Sequence, residues 1–491
     1  MILLIDGHHF RYETENLCNM FFPLDKAKVI EGSHTTESNY ILTRISQQGE
    51  KGTLAEISLC MDGANRYACM DIPKESAEKE AEYQLCALLY QVLSEFTGKT
   101  LSWGMLTGVR PVKLVRAMRE EGMDDSAILH VMQQKHFVSE NKAKLCLATC
   151  DHETPILQGV SRDSFSLYVS IPFCPSRCHY CSFVSQAVGK QKKLIPEYVH
   201  LLCKELQKTG EIVKTLGLRL DTVYFGGGTP TTLSPVQLDE VLSTVERFFD
   251  LSTCKEYTVE AGRPDTIDEE KLRALRAHGI SRISINPQTL EDRVLEQIGR
   301  RHTAKQFFEA FDLARKLGFT NINTDVIAGL MGDTLEGFQH TLNSLMQLVP
   351  ENVTVHTLSV KRAATLSQTG GYAAVVQNED VVPQMVDYAQ DTLFANGYHP
   401  YYLYRQKNML DNLENVGYAK GDTDGLYNVY IMDETHTILA AGAGGVTKMK
   451  NQDNGYIERI FNFKFPHDYG MRFDEILQRK EQVIPFYEKY L

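Results

Sequence analysis

No apolar run in this 491-residue chain approaches the roughly 18 residues that a membrane-crossing helix needs, so no span is expected. A secretory signal is not expected either, because the apolar opening, residues 1–5, has no basic stretch before it and meets charge at Asp6. Blocks of lysine and arginine are absent and the net charge is −12, which leaves non-specific nucleic-acid binding without electrostatic support. The eleven cysteines are odd in number and, three apart, scattered, which argues against an extracellular disulfide framework and for a reducing cytoplasm. Cys18, Cys60, Cys69, Cys86, Cys146, Cys150, Cys203 and Cys254 read as small buried hydrophobes. Tryptophan occurs once, and Trp103 is expected to pack in a core.

What is present divides the chain into four parts. Residues 1–98 read as a small α+β domain, with alternating segments at 40–46 and 53–60 around a glycine-containing turn, a hairpin signature, and an amphipathic helix over 76–96. Residues 99–160 turn helical, with Leu114, Val115 and Met118 and then Ile128, Leu129, Val131 and Met132 at helical spacing. Near their start lie Thr107, Gly108, Arg110 and Lys113, a turn whose two cations could serve an anion. From 161 to 400 the grammar is strand, loop, helix, repeated, and Gly217, Gly279, Gly318 and Gly397 each end a helix immediately before a strand. That alternation implies a parallel sheet with right-handed crossovers, a partial or full parallel β/α barrel, whose site would lie at the carboxyl ends of the strands. Residues 401–491 form a further closing segment.

The chemistry concentrates at those strand ends. Cys174, Cys178 and Cys181 stand in a Cys-x3-Cys-x2-Cys array directly after an apolar run. Three thiolates on a four-iron cubane would leave one iron open for a reactant. The alternative is a structural zinc knot completed by His179 or by a distant residue. The next strand, 222–225, runs into Gly226, Gly227, Gly228 and Thr229, where missing side chains permit close backbone approach. Glu260 follows the third strand and could accept hydrogen bonds from a ribose diol. Gln288 and the pair Arg300 and His302 follow the fourth, and the fifth carries Asp325.

The cysteine spacing, with Tyr180 before the third cysteine, resembles the radical S-adenosylmethionine (SAM) superfamily. Residues 163–360, together with the segments 415–421, 427–428 and 439–447, are similar to the oxygen-independent coproporphyrinogen III oxidases and their relatives. The likeness is strongest to the dehydrogenase branch with an extra amino-terminal domain. The resemblance implies that Cys174, Cys178 and Cys181 bind a [4Fe-4S] cluster and, with Tyr168, form the catalytic centre. It implies that Tyr168, Gly227, Gly228, Thr229, Glu260, Gln288, Arg300 and Asp325 hold SAM, that Tyr180 faces the adenine, and that Ser359 occupies a further contact position where the family has alanine.

The activity so implied is oxidative decarboxylation of two coproporphyrinogen III propionates to vinyl groups by a 5′-deoxyadenosyl radical, fed by a low-potential donor such as flavodoxin or ferredoxin. An anionic tetrapyrrole calls for cations, and Arg110, Lys361, Arg362, Arg405 and Lys407 are the candidates. Two departures point elsewhere: Ser170 stands where the oxidase has a histidine, and Phe183 replaces a fourth nearby cysteine, as in the related heme chaperones. A heme-binding chaperone and a radical enzyme acting on heme itself are the rival expectations.

Overall fold

The computed structural model describes residues 1–48, 52–73, 76–183, 185–359, 381–406 and 409–490. The chain divides into two compact units: Met1–Leu147 with Arg405–Leu413, and the remainder of the described chain.

In the first unit the alternating segments pair as expected, Tyr40–Gln47 antiparallel to Thr53–Met61, and Thr53–Met61 to Ala64–Ile72. The opening strand Ile2–Asp6 lies parallel to both Lys28–Glu31 and Tyr40–Gln47. Helices Arg11–Phe21 and Glu78–Thr97 supply Leu17, Phe21, Leu85, Leu89 and Leu93 to a core shared with Ile41, Ile57 and Leu59 of the strands. Trp103 is buried, as a packing residue would be. The cysteines depart from a uniform buried reading, since Cys69 is exposed on the outer strand and Cys60, Cys203 and Cys254 are half-buried. Cys60 and Cys69 face outward because a two-layer sheet has only one covered face, and a strand's side chains alternate between faces.

The second unit is built on six parallel strands that neighbour one another in chain order: Ser164–Ile171, Arg219–Gly227, Glu256–Glu260, Arg282–Ser284, Ile322–Ala328 and Asn352–Thr357. Glu414–Ala419 adds antiparallel beside Asn352–Thr357, with His399–Arg405 outside it. At the other side Thr437–Ala441 runs parallel to Ser164–Ile171, followed by Val446–Lys450 and Ile457–Phe461 in antiparallel array. The sheet has two edges among the described residues, so the barrel is the partial one, and the segment after residue 400 is woven into it.

Local signals explain where the helices begin and end. Ser234 with Gln237 and Thr303 with Gln306 form capping boxes at helix starts. Gly217 ends Ile195–Leu216 with φ +63°, a left-handed cap that other residues adopt at a cost, and Gly279, Gly318 and Gly397 also have positive φ. Every return to a new strand therefore happens at one end of the sheet. The motif-bearing loops emerge at the other.

Candidate active site

The loop carrying the three cysteines leaves strand Ser164–Ile171 and is closed by a short parallel pairing of Phe173–Cys174 with Gln186–Ala187. Its far side is pinned to the loop after helix Asp292–Gln297. The amide of His179 donates to Ile298 O at 2.9 Å, and Ser176 Oγ donates to Gly299 O at 3.0 Å. His179 turns Nδ1 to Gln297 O at 2.9 Å and lays Nε2 over Gly299, an orientation unsuited to a fourth zinc ligand.

The glycine run supports this loop from below. A Cβ on Gly228 would meet Phe173 O at 2.6 Å and Ile171 O at 2.9 Å, so only glycine permits the approach. The Gly228 amide donates to Ile171 O and the Thr229 amide to Phe173 O, both at 2.7 Å, while Thr229 Oγ1 donates to Cys174 Sγ at 3.4 Å. These amides are thus engaged by the cysteine loop itself.

Glu260, Gln288, Arg300 and Asp325 come from three successive strands and the segments that follow them, with Gln288 and Arg300 both after Arg282–Ser284, on one sheet with Tyr168. Tyr168, Tyr224 and Tyr427 stack into an aromatic group, with Tyr224 and Tyr427 centroids 4.3 Å apart, and Tyr224 donates its hydroxyl to Glu260 Oε1 at 2.5 Å. Asn286 and Asn323 each donate to Asp325 at 2.8 Å, and His356 lies 3.7 Å from it. Arg300 is buried, with its guanidinium on Asn286 O at 2.6 Å and on the Tyr180 hydroxyl at 3.3 Å. Gln288 holds φ +68° between Asp325 and Ile327, through Gln288 N to Asp325 O and Ile327 N to Gln288 O. Its side-chain Oε1 is buried and finds no protein donor.

Burial dominates the electrostatics. It pushes the Glu260 carboxyl up to about 7, against the bond from Tyr224 and with the Asp325 charge adding to it. At Asp325 burial pulls the same way, but His356, Asn323 and Thr354 outweigh it and hold the carboxyl below its usual range. Burial also raises the Cys174 thiol, and pushes Cys181 up to about 11. Half-buried thiols of this kind need a bound cation to become thiolates.

The donor set fits an iron–sulfur cluster better than zinc. Ligands of one tetrahedral zinc lie about 3.8 Å apart, given Zn–S bonds of about 2.3 Å. Among the described residues the triad of His, Cys, Asp or Glu donors mutually within 4.8 Å is His152, His399 and Asp424, so the three sulfurs are spread more widely than zinc requires. That triad is not built as a metal centre either. Its imidazoles stack 3.7 Å apart and 14° from parallel, and lone pairs lying in near-parallel ring planes do not meet at one ion. An orphaned amide oxygen at Gln288 and a carboxyl at Glu260 with Tyr224 as its donor are what a polar ligand such as SAM would engage.

The structure describes several further expected residues individually. Arg405, offered as a carboxylate ligand, is buried with its guanidinium donating to Leu106 O, Gly108 O and Asn412 O, over the face of Trp103. Its charge is spent on helix-end and loop carbonyls, which a sequence position cannot reveal. Arg110 precedes helix Pro111–Glu120 in the first unit. Lys361, Arg362 and Lys407 lie outside the described residues. Ser359 is half-buried just beyond strand Asn352–Thr357. Ser170 is buried and donates to Ala443 O at 2.8 Å, whereas Phe183 is 68% exposed. Sequence reading overlooked Arg263, which reaches the cysteine loop; the signal was an Arg-Pro-Asp run three residues past Glu260.

A model of the radical SAM superfamily matches residues 168–345. The oxygen-independent coproporphyrinogen-III oxidase-like protein HemZ of Bacillus subtilis (strain 168) is 36% identical over 98% of this chain and 98% of its own. The heme chaperone HemW of the same organism is 34% identical, over 62% of this chain and 77% of its own. The oxygen-independent coproporphyrinogen III oxidase of Escherichia coli (strain K12) is 31% identical over 41% and 44%.

Proposed function

The chain belongs to the oxygen-independent coproporphyrinogen III oxidase-like family of radical SAM proteins, which use a [4Fe-4S] cluster and SAM, and from that premise we propose that it decarboxylates coproporphyrinogen III. Two propionate side chains would each lose a hydrogen atom, carbon dioxide and one electron, leaving vinyl groups and protoporphyrinogen IX. The observation that carries this reading is the match to the oxidase-like relative over 98% of both chains, amino-terminal unit included.

Cys174, Cys178 and Cys181 would hold the cluster, leaving one iron for SAM. When bound, cluster and SAM together supply a carbon radical able to take hydrogen from an unactivated C–H bond. The remaining work falls to the chain. Glu260 as a carboxylate accepts from a ribose diol, and Gln288 Oε1 accepts from a further N–H or O–H of the ligand. Asp325, held ionised by His356 and Asn323, keeps a fixed negative charge beside them. The Tyr168, Tyr224 and Tyr427 rings form a wall that excludes water from this end of the sheet. A low-potential flavodoxin or ferredoxin in the cytoplasm would provide the electrons.

Anaerobic reconstitution with iron and sulfide, then incubation with SAM and coproporphyrinogen III, tests the reading by product mass. A product lighter by two formic-acid equivalents supports it. A second reading, a heme chaperone, is favoured by the exposed Phe183 and by the 34% identity to HemW. Stable heme binding with no carbon dioxide released from coproporphyrinogen would establish that reading in place of the first.

A further inference from the structure

Arg263 lies three residues beyond Glu260 at the end of strand Glu256–Glu260 and is 3% exposed. An arginine offers five N–H groups in a rigid fork, and here all five are assigned. Nε and one Nη2 hydrogen grip the Asp265 carboxylate, each at 3.0 Å. The other Nη2 hydrogen meets Ser176 Oγ at 3.1 Å. Nη1 donates to Ser176 O at 3.3 Å and to Cys178 Sγ at 3.6 Å.

A brace for the loop would need only the contacts to Ser176. The fifth bond places an N–H and a positive charge on a ligand sulfur, and hydrogen bonds to cluster sulfurs and net charge are what tune cluster potentials. Arg300 also interacts with the Cys178 thiol, so two guanidinium groups act on this sulfur. Cys174, by contrast, receives the Thr229 hydroxyl.

We propose that Arg263 is a positioning residue that raises the reduction potential of the cluster through Cys178, with Asp265 tempering its charge. The proposal rests on the cluster reading above. Reduction adds one electron and makes the cluster more negative, so a donor and a cation at Cys178 favour the reduced state. Asp265, bonded to the same guanidinium, opposes part of that effect.

Redox titration of anaerobically reconstituted full-length protein, followed by electron paramagnetic resonance with iron and sulfide counted in each sample, is the test. In Arg263→Gln the midpoint should become more negative, so that at the wild-type midpoint well under half of the cluster is reduced. Arg263→Lys, which keeps the charge but has too few donors for the fork, should lie between. Asp265→Asn should move the midpoint the opposite way. A purely structural role predicts no such opposition of sign. Should Arg263→Gln fail to take up iron, Asp265→Asn decides alone, and iron-loaded Asp265→Asn with the wild-type midpoint overturns the proposal. A wild-type protein that binds no iron and sulfide would sink the cluster reading and this inference with it.

Discussion

Two carboxylates of the second unit, one on a helix and one at a strand end, have opposite fates. Glu205, fully buried in helix Ile195–Leu216, has every lone pair answered by the chain. Oε1 accepts from Asn462 at 2.7 Å and Lys480 at 2.9 Å, and Oε2 accepts from the Gly442 amide at 2.8 Å and Tyr469 at 2.6 Å. Glu260 has one donor, Tyr224, and a carboxyl pushed up to about 7 by burial. A buried charge that the fold satisfies completely is a fastening, here tying the carboxyl-terminal helices to the sheet. A half-buried carboxyl left short of donors, like the orphaned amide oxygen of Gln288 after the next strand, has hydrogen-bonding capacity that the chain leaves for a ligand. The contrast can be broken or sharpened by mutation.

The largest effect is expected at the cysteines. Cys178→Ala should abolish SAM cleavage, read by chromatography of the nucleoside products, and reduce the iron content of the reconstituted protein. Next comes the fastening. Lys480→Met leaves the Glu205 charge buried without its cation and should cost about 3–5 kcal/mol in urea unfolding. A loss below about 1 kcal/mol would mean that Glu205 is not the anchor its four donors suggest. Gln288→Ala should behave inversely, because its Oε1 contributes no bond to the protein. We expect an unchanged unfolding midpoint and SAM affinity weaker by about tenfold, the worth of one hydrogen bond, measured by calorimetry.

The smallest effect is one of pH. The Glu260 carboxyl is raised above its unfolded value, so its contribution to stability is complete below the ordinary glutamate range. That contribution is lost as pH rises through about 7. Accepting from a diol needs the carboxylate, which the same rise produces. SAM affinity should therefore tighten between about pH 6 and about pH 8 and level off above, and Glu260→Gln should flatten the profile. A wild-type affinity that does not change over this range would remove Glu260 from the ligand.

Much of the site was legible because it is local. The cysteine array, the glycine run and Glu260 each sit within a few residues of a strand end that alternation and glycine stops announce. Arg263 was passed over, though its neighbourhood was in view, because its partners Ser176 and Cys178 lie nearly ninety residues earlier in the chain. Tyr224 and Tyr427 likewise become one surface only when distant strands and helices meet. Arg405 was misread for the complementary reason: a cation near a suggestive motif carries no mark of whether carbonyls have already claimed it.

By itself the order of residues determined the period of strands and helices, the end of the sheet that bears the loops, and the three thiols spaced for one cluster. All of these depend on interactions within a turn or two of the chain. Only the tertiary structure decided that the sheet keeps two edges among the described residues, that the segment after residue 400 adds strands to it, and which charges are answered by the chain. Those outcomes depend on donors brought together from segments hundreds of residues apart, and burial, which sets the energy of every such charge, is a property of the packed molecule.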